Sequence, residues 1–146
     1  MALNLVKLCV GVDAIEDLEA WIAFRQEERR KNGEPAEQFH TTRMIPKRAE
    51  ELLDGGSLYW VIRGNIQVRQ RLLDIRPFRD GEGIRRCHLV MDPSLVPTQW
   101  QPRRPFQGWR YLEGRDAPRD LATGVLPDGG ELPHQLMAAL AEIGVR

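Results

Sequence analysis

Between residues 57 and 91 the chain reads as three strands joined by two tight turns. Ser57–Arg63 (Ser-Leu-Tyr-Trp-Val-Ile-Arg) is dominated by aromatic and β-branched residues, which suit a pleated, packed surface. Gly64-Asn65 supplies a turn, and Ile66–Phe78 a long second strand. Asp80-Gly81-Glu82-Gly83 turns the chain again into Ile84–Met91. Strands joined by so few residues can pair only antiparallel, so a meander lies at the centre of the fold. Leu72-Leu73 breaks the alternation of the long strand and predicts an irregularity there.

The flanks add helices. Leu3–Val12 reads as a buried strand. Asp13, with Glu16 three residues on, predicts a capped helix over 13–31, with Ile15, Leu18, Trp21, Ile22 and Arg25 at helical spacing. Asn32-Gly33 and Pro35 end it, and 32–38 is a polar loop. Phe39–Ile45 suits another strand. Pro46 opens a short helix over 47–53, stopped by Gly55-Gly56, one glycine taking the left-handed position. The span 92–105, with four prolines, predicts a loop, Phe106–Leu112 a strand, and 131–143 a closing helix. The expected fold is α+β in one domain over 1–146: a small, mostly antiparallel curled sheet or barrel of five or six strands with three flanking helices.

Composition places the chain among globular proteins. It is 42% hydrophobic and 29% charged, and no run approaches the ~18 apolar residues of a membrane span. The start shows no basic region followed by an apolar core, so it does not read as a secretory signal. Cys9 and Cys87 then read as two buried free thiols in a cytoplasmic protein. The net charge of zero hides an uneven distribution: −3 over 1–38, +6 over 39–111 and −3 over 112–146. Of the cations, 18 are arginine, whose planar fork pairs phosphates and stacks on rings.

No motif names a reaction. His40, His88 and His134 lack metal-ligand spacing, and the Cys87-His88 neighbours point to opposite faces of a strand. Neither Ser57 nor Ser94 lies in a nucleophile elbow. The glycine pairs at 54–56, 80–83 and 129–130 are too short and too acidic to cradle a nucleotide. Glu50 and Asp54 share a helix face but read as solvated. The sequence therefore points to no metal, cofactor or catalytic residue.

What remains is a basic-aromatic surface in the central segment. Arg43, Lys47 and Arg48 surround the short helix, Arg63, Arg69 and Arg71 lie on the meander, and Tyr59, Trp109 and Arg110 are interleaved with them. A cationic groove with stacking rings is how proteins hold single-stranded nucleic acid, so RNA or a nucleotide is the expected partner. Two other readings remain open: an enzyme acting on a phosphorylated or nucleotide substrate, with His40 and Arg43 near Lys47, and a protein-interaction module. The competing structural explanation pairs the arginines with Asp74, Asp80, Glu82 and Glu50 and puts Trp60 and Trp109 in the core.

The stretches Leu5–Gly11, Lys47–Gly64, Val68–Arg71, Asp74–Phe78 and Pro105–Leu112 resemble the alphaproteobacterial domain-of-unknown-function family 1489. That resemblance implies a bacterial, cytoplasmic setting and assigns no activity. The short helix, glycine turn and strand at 47–63 also resemble the PUA-like superfamily, with its ASCH and EVE domains. Several such domains bind RNA or modified bases beside that helix. The PUA-like resemblance implies a small barrel with a cleft lined by Lys47, Arg48, Tyr59, Arg63, Trp109 and Arg110.

Overall fold

The computed structural model describes residues 2–35 and 37–121. The elements run β1 (Leu3–Leu8), α1 (Ile15–Lys31), β2 (Gln38–Thr42), α2 (Ala49–Leu53), β3 (Ser57–Ile62), β4 (Asn65–Arg79), β5 (Arg85–Met91), β6 (Val96–Pro102) and β7 (Trp109–Glu113), with a 3₁₀ turn at Gly114–Asp116. The expected closing helix over 131–143 lies outside the described residues.

The meander is present as β3, β4 and β5, and it organises the rest. β4 is 15 residues long. Its first part pairs with β3 on one edge and β6 on the other, and its last part pairs with β5. The sheet has seven strands in the order β2-β5-β4-β3-β1-β7, with β6 beside β4. It is mixed, because β1 runs parallel to β3, the chain crossing over through α1, β2 and α2. The fold is thus α+β with seven strands and two α-helices among the described residues, and the sheet is curled but open. Three details change from the sequence reading. The proline-bearing span supplies β6, whose Thr98 forms a single antiparallel bridge with Asp120. Proline is tolerated there because β6 lies at the margin of the ladder. The first hairpin turns on Arg63-Gly64, not Gly64-Asn65; both turn residues have positive φ, 48° and 80°. That is the primed geometry whose twist matches paired strands. Finally, α1 starts at Ile15 after Ala14, and no side chain caps it. Asp13 instead donates its backbone N–H to Asp17 Oδ2 at 3.1 Å.

Two bulges aim the side chains. The expected irregularity at Leu72-Leu73 is real: the β4–β5 register shifts between Leu72 and Asp74, and Leu73 is left exposed. A second shift at Gln67 was not visible in the alternation. It places Ile66 and Val68 on opposite faces, where simple alternation puts them together. The inner face then holds Leu3, Leu5, Leu58, Trp60, Ile62, Val68, Leu72, Cys87, Leu89 and Met91, closed by Leu18 and Ile22 of α1 and Leu52 of α2. The outer face carries a smaller cluster of Val6, Tyr59, Val61, Ile66 and Leu112. At the junction of α2 and β3 a Cβ on Gly56 would collide with the carbonyl oxygens of Leu3 and Leu52. Only glycine allows the backbones to approach so closely there.

The curl brings the two ends of the strand order together. His40 on β2 stands edge-on to Trp60 on β3, ring centroids 5.3 Å apart, although β5 and β4 lie between them in the sheet. Trp109 Nε1 on β7 donates to the Met44 carbonyl just beyond β2 at 2.8 Å. Side chains bridge these edges and no backbone ladder joins them, so the sheet stops short of a barrel.

Candidate functional site

The gap left by that incomplete closure is where the concave surface lies. A cavity of about 430 Å³ opens between the end of β1, the start of α1 and β2. Lys7, Cys9, Gln38, His40, Trp60 and Gln70 line it, with Trp21 at the mouth. Lys7 is there because it continues the inward alternation of Leu3 and Leu5; it sits in register with Trp60 on one side and Trp109 on the other. Burial lowers the Lys7 pKa from its ordinary value. Burial, and then the charge of Lys7, push His40 down to about 4, so the imidazole is neutral near pH 7. Burial also raises the Cys9 thiol to about 11, which keeps it protonated. The walls are held rigidly. Trp60 Nε1 donates to Gln70 Oε1 at 2.9 Å, Gln70 Nε2 donates to the Asp92 carbonyl at 2.9 Å, and Gln38 Nε2 donates to the Ile22 carbonyl at 3.3 Å.

A second, shallower concavity adjoins the first and shares Lys7 with it. Thr41, Thr42, Arg43 and Met44 form one side, and Gln107, Gly108, Trp109 and Arg110 the other. Arg110 Nη1 donates to the carbonyl of Gln107 at 3.0 Å, and its guanidinium rests over the Phe106 ring at 5.2 Å.

The nine residues expected from the sequence are distributed over several places. Arg43, Trp109 and Arg110 all border the second concavity, but Arg110 pairs with Val6 and lays its guanidinium over Phe106 on the outer face, whereas Trp109 faces inward. Lys47 and Arg48 sit beyond it, their backbone N–H groups donating to the Tyr111 hydroxyl at 3.0 and 3.2 Å. The Arg48 side chain is taken by Glu51 in two hydrogen bonds, with Glu113 at 3.7 Å. Tyr59, Arg69 and Arg71 belong to the outer face of the sheet. Arg69 there makes a two-pronged ion pair with Asp120, at 2.7 and 2.8 Å, and also donates to Ser57 Oγ. Arg63 is at the tip of the first hairpin, 3.4 Å from Asp13. The six residues Lys47, Arg48, Tyr59, Arg63, Trp109 and Arg110 therefore do not line one cleft beside α2, since the sheet itself separates Tyr59 from Trp109. Trp60 and Trp109 are core residues on the inner face, and Arg76 and Arg86 pair with Asp74 and Asp80 as the competing explanation required.

Lys7 was missed as a site residue, although the signal was present: a lone cation in line with Leu3 and Leu5 on the buried side of a strand. His40 lies in a concave pocket, with Lys7 rather than Arg43 or Lys47 as its charged neighbour. His88 faces the other way, stacked between Phe39 at 4.2 Å and Phe78 at 4.3 Å. Both cysteines are free; Cys87 is buried and Cys9 partly so. Among the described residues no three His, Cys, Asp or Glu side chains gather as a metal site, and no helix is long and apolar enough to cross a membrane.

A family model described as Protein of unknown function (DUF1489) matches residues 5–146. The chain belongs to this family. The match takes in both concavities, Lys7 at its start included, and brings no activity with it. No curated protein and no solved structure matches the chain.

Proposed function

We propose that this chain is a cytoplasmic bacterial module that binds a nucleotide, free or within RNA, and seats its base in the cavity formed by Lys7, His40 and Trp60. The observation that carries the reading is Lys7. It is a half-buried cation held among aromatic walls that makes no ion pair among the described residues; the carboxylate in the lining, Asp17, accepts the backbone N–H of Asp13. A buried ammonium costs free energy unless something offsets it, and a ligand rich in acceptor atoms would do so. The cavity volume falls within the ~300–1,000 Å³ common for small-molecule sites. Its chemistry fits a heteroaromatic base: Trp60 and Trp21 offer ring surfaces, neutral His40 offers one donor and one acceptor, and Gln38 offers its amide oxygen. A hydrolytic role for His40 has less support, because its ring packs edge-on against Trp60 and no carboxylate hydrogen-bonds to it among the described residues.

The test is a titration at low salt with the four nucleoside 5′-monophosphates and four homopolymeric RNA hexamers. At least one should bind, and Lys7→Glu should weaken that binding by about 100-fold, since it removes an attraction and adds a repulsion. No binding by any of the eight, or equal binding by Lys7→Glu, would overturn the reading.

A further inference from the structure

We infer that Lys7 is an attachment point for a carbonyl compound: its amine forms an imine with an aldehyde carried on a flat ring that enters the first cavity. The inference goes beyond the nucleotide reading, in which the same side chain acts only as a charge. It starts from the kind of cation found there. Of the 21 Lys and Arg residues, 18 are arginine, and the lysines are Lys7, Lys31 and Lys47. Lys31, in the last turn of α1, and Lys47, just before α2, are exposed. Lys7 is half-buried and lines the cavity. An arginine at that place would supply charge alone, because its guanidinium stays protonated. A lysine withdrawn from water can give up its proton and become a nucleophile.

The surroundings favour the neutral amine. Lys7 stands between Trp60 and Trp109 in the ladder, on the inner face, and burial lowers its pKa. The titratable groups that feel its charge bring no negative charge near pH 7, since the Cys9 thiol stays protonated and His40 is neutral. Asp17, at the α1 end of the lining, is engaged by the backbone N–H of Asp13. The walls suit a ring. Trp60 is fixed by its bond to Gln70, and the side-chain nitrogens of Gln38 and Gln70 are spent on backbone carbonyls. A ligand entering the 430 Å³ therefore meets mostly apolar and aromatic surface with one amine in it. The reaction needs no further reagent. The Lys7 nitrogen bonds to the carbonyl carbon as the C=O double bond opens, and one N–H proton passes to the oxygen. The carbinolamine then loses its hydroxyl together with the second N–H proton as water, leaving C=N. Neutral His40, on the same cavity wall, can carry both protons.

The experiment treats the full chain near pH 7 with benzaldehyde, and separately with butanal, in the presence of cyanoborohydride, which reduces an imine to a stable amine. Peptide mass spectrometry gives the labelling rate at each lysine, with the exposed Lys31 and Lys47 as internal references. With benzaldehyde Lys7 should react at least about tenfold faster than either, although it is the less exposed, and its lead should shrink with butanal, which has no ring. In the urea-unfolded chain the lysines should react alike. Lys7→Arg keeps the cation and should lose the fast adduct. Labelling of folded Lys7 no faster than Lys31 and Lys47 overturns the proposal. A lead that survives in urea also overturns it, because the cavity is then not its cause, and so does a fast adduct that persists in Lys7→Arg. An equal lead with both aldehydes overturns the ring as part of the ligand class. Nucleotides take no part in this measurement, so a failure of nucleotide binding leaves its result unaffected.

Discussion

The two faces of the central sheet treat their cations in opposite ways. On the outer face Arg69 is answered by Asp120 with two short hydrogen bonds, and by Ser57 with a third. On the inner face Lys7 lies between Trp60 and Trp109 in the ladder, and burial depresses its pKa. Lys7 is on β1 and Arg69 on β4, with β3 between them, and both are partly withdrawn from water. The difference lies in what the rest of the chain brings up against them. Positive charge that is already neutralised stabilises the fold. Positive charge left without a partner where a concavity opens is available to a ligand.

The largest expected effect on this contrast is through pH. His40 has a folded pKa of about 4, well below the ordinary 6.5, because it is buried and faces Lys7. Between those two values the unfolded chain takes up a proton that the folded chain refuses. Stability is therefore flat above about pH 6.5 and falls as pH drops towards 4, by about 2 kcal/mol between pH 7 and pH 5. Chemical denaturation at the two pH values measures it. A His40→Phe variant keeps a ring against Trp60 and should lose most of this dependence, whereas substitutions on the outer face should leave it intact. If His40→Phe shows the full pH slope, the inner face is not the strained one.

Next in size is a pair of opposed stability changes. Replacing Arg69 by methionine leaves Asp120 without its partner and should cost about 1–2 kcal/mol, the lower end being favoured because the pair is partly exposed. Replacing Lys7 by methionine keeps the stem and removes a desolvated charge, and should stabilise by about 1 kcal/mol. Urea midpoints for the two variants give the signs directly. Destabilisation by Lys7→Met would mean that the ammonium has a partner and that the contrast between the faces is false.

Much of the fold was legible because it depends on local pattern. The meander, the opposite facing of Trp60 and Tyr59, and the bulge at Leu72-Leu73 all follow from side-chain alternation and turn residues within a few positions. The bulge at Gln67 was not legible, because an inserted residue between Ile66 and Val68 leaves no break in a run that already alternates apolar and polar. β6 was hidden by its prolines, which a marginal strand tolerates. The candidate site was less legible still, and for a physical reason. Whether a cation is free depends on pairing across long stretches of chain: Arg69 with Asp120, Arg76 with Glu37, Arg48 with Glu113. These acids come from the two negative ends of the chain. The basic middle is thus partly neutralised by its flanks, and Lys7, the cation that lines the cavity, comes from the first strand, in the part that segment charge alone assigned as acidic.

The smallest expected effect concerns a cation that belongs to neither face. Arg63 occupies the first position of the tight turn between β3 and β4, with φ of 48°, and its one ion pair among the described residues is a 3.4 Å contact with Asp13 in which both side chains are largely in solvent. A left-handed conformation is unfavourable for arginine and well tolerated by asparagine, which is a preferred first residue of such primed turns. The exposed pair with Asp13 contributes little in return. Arg63→Asn should therefore raise stability by roughly 0.5–1 kcal/mol, read from the urea midpoint. It should also leave the affinity for the tightest-binding nucleoside monophosphate within about twofold, as expected of a rim charge far from the contact. That second measurement separates charge at large from charge in place. If ligand affinity falls with Arg63→Asn as it does with Lys7→Glu, the ligand is responding to the overall positive charge of the middle segment, and the distinction between the cations of the two faces does not hold.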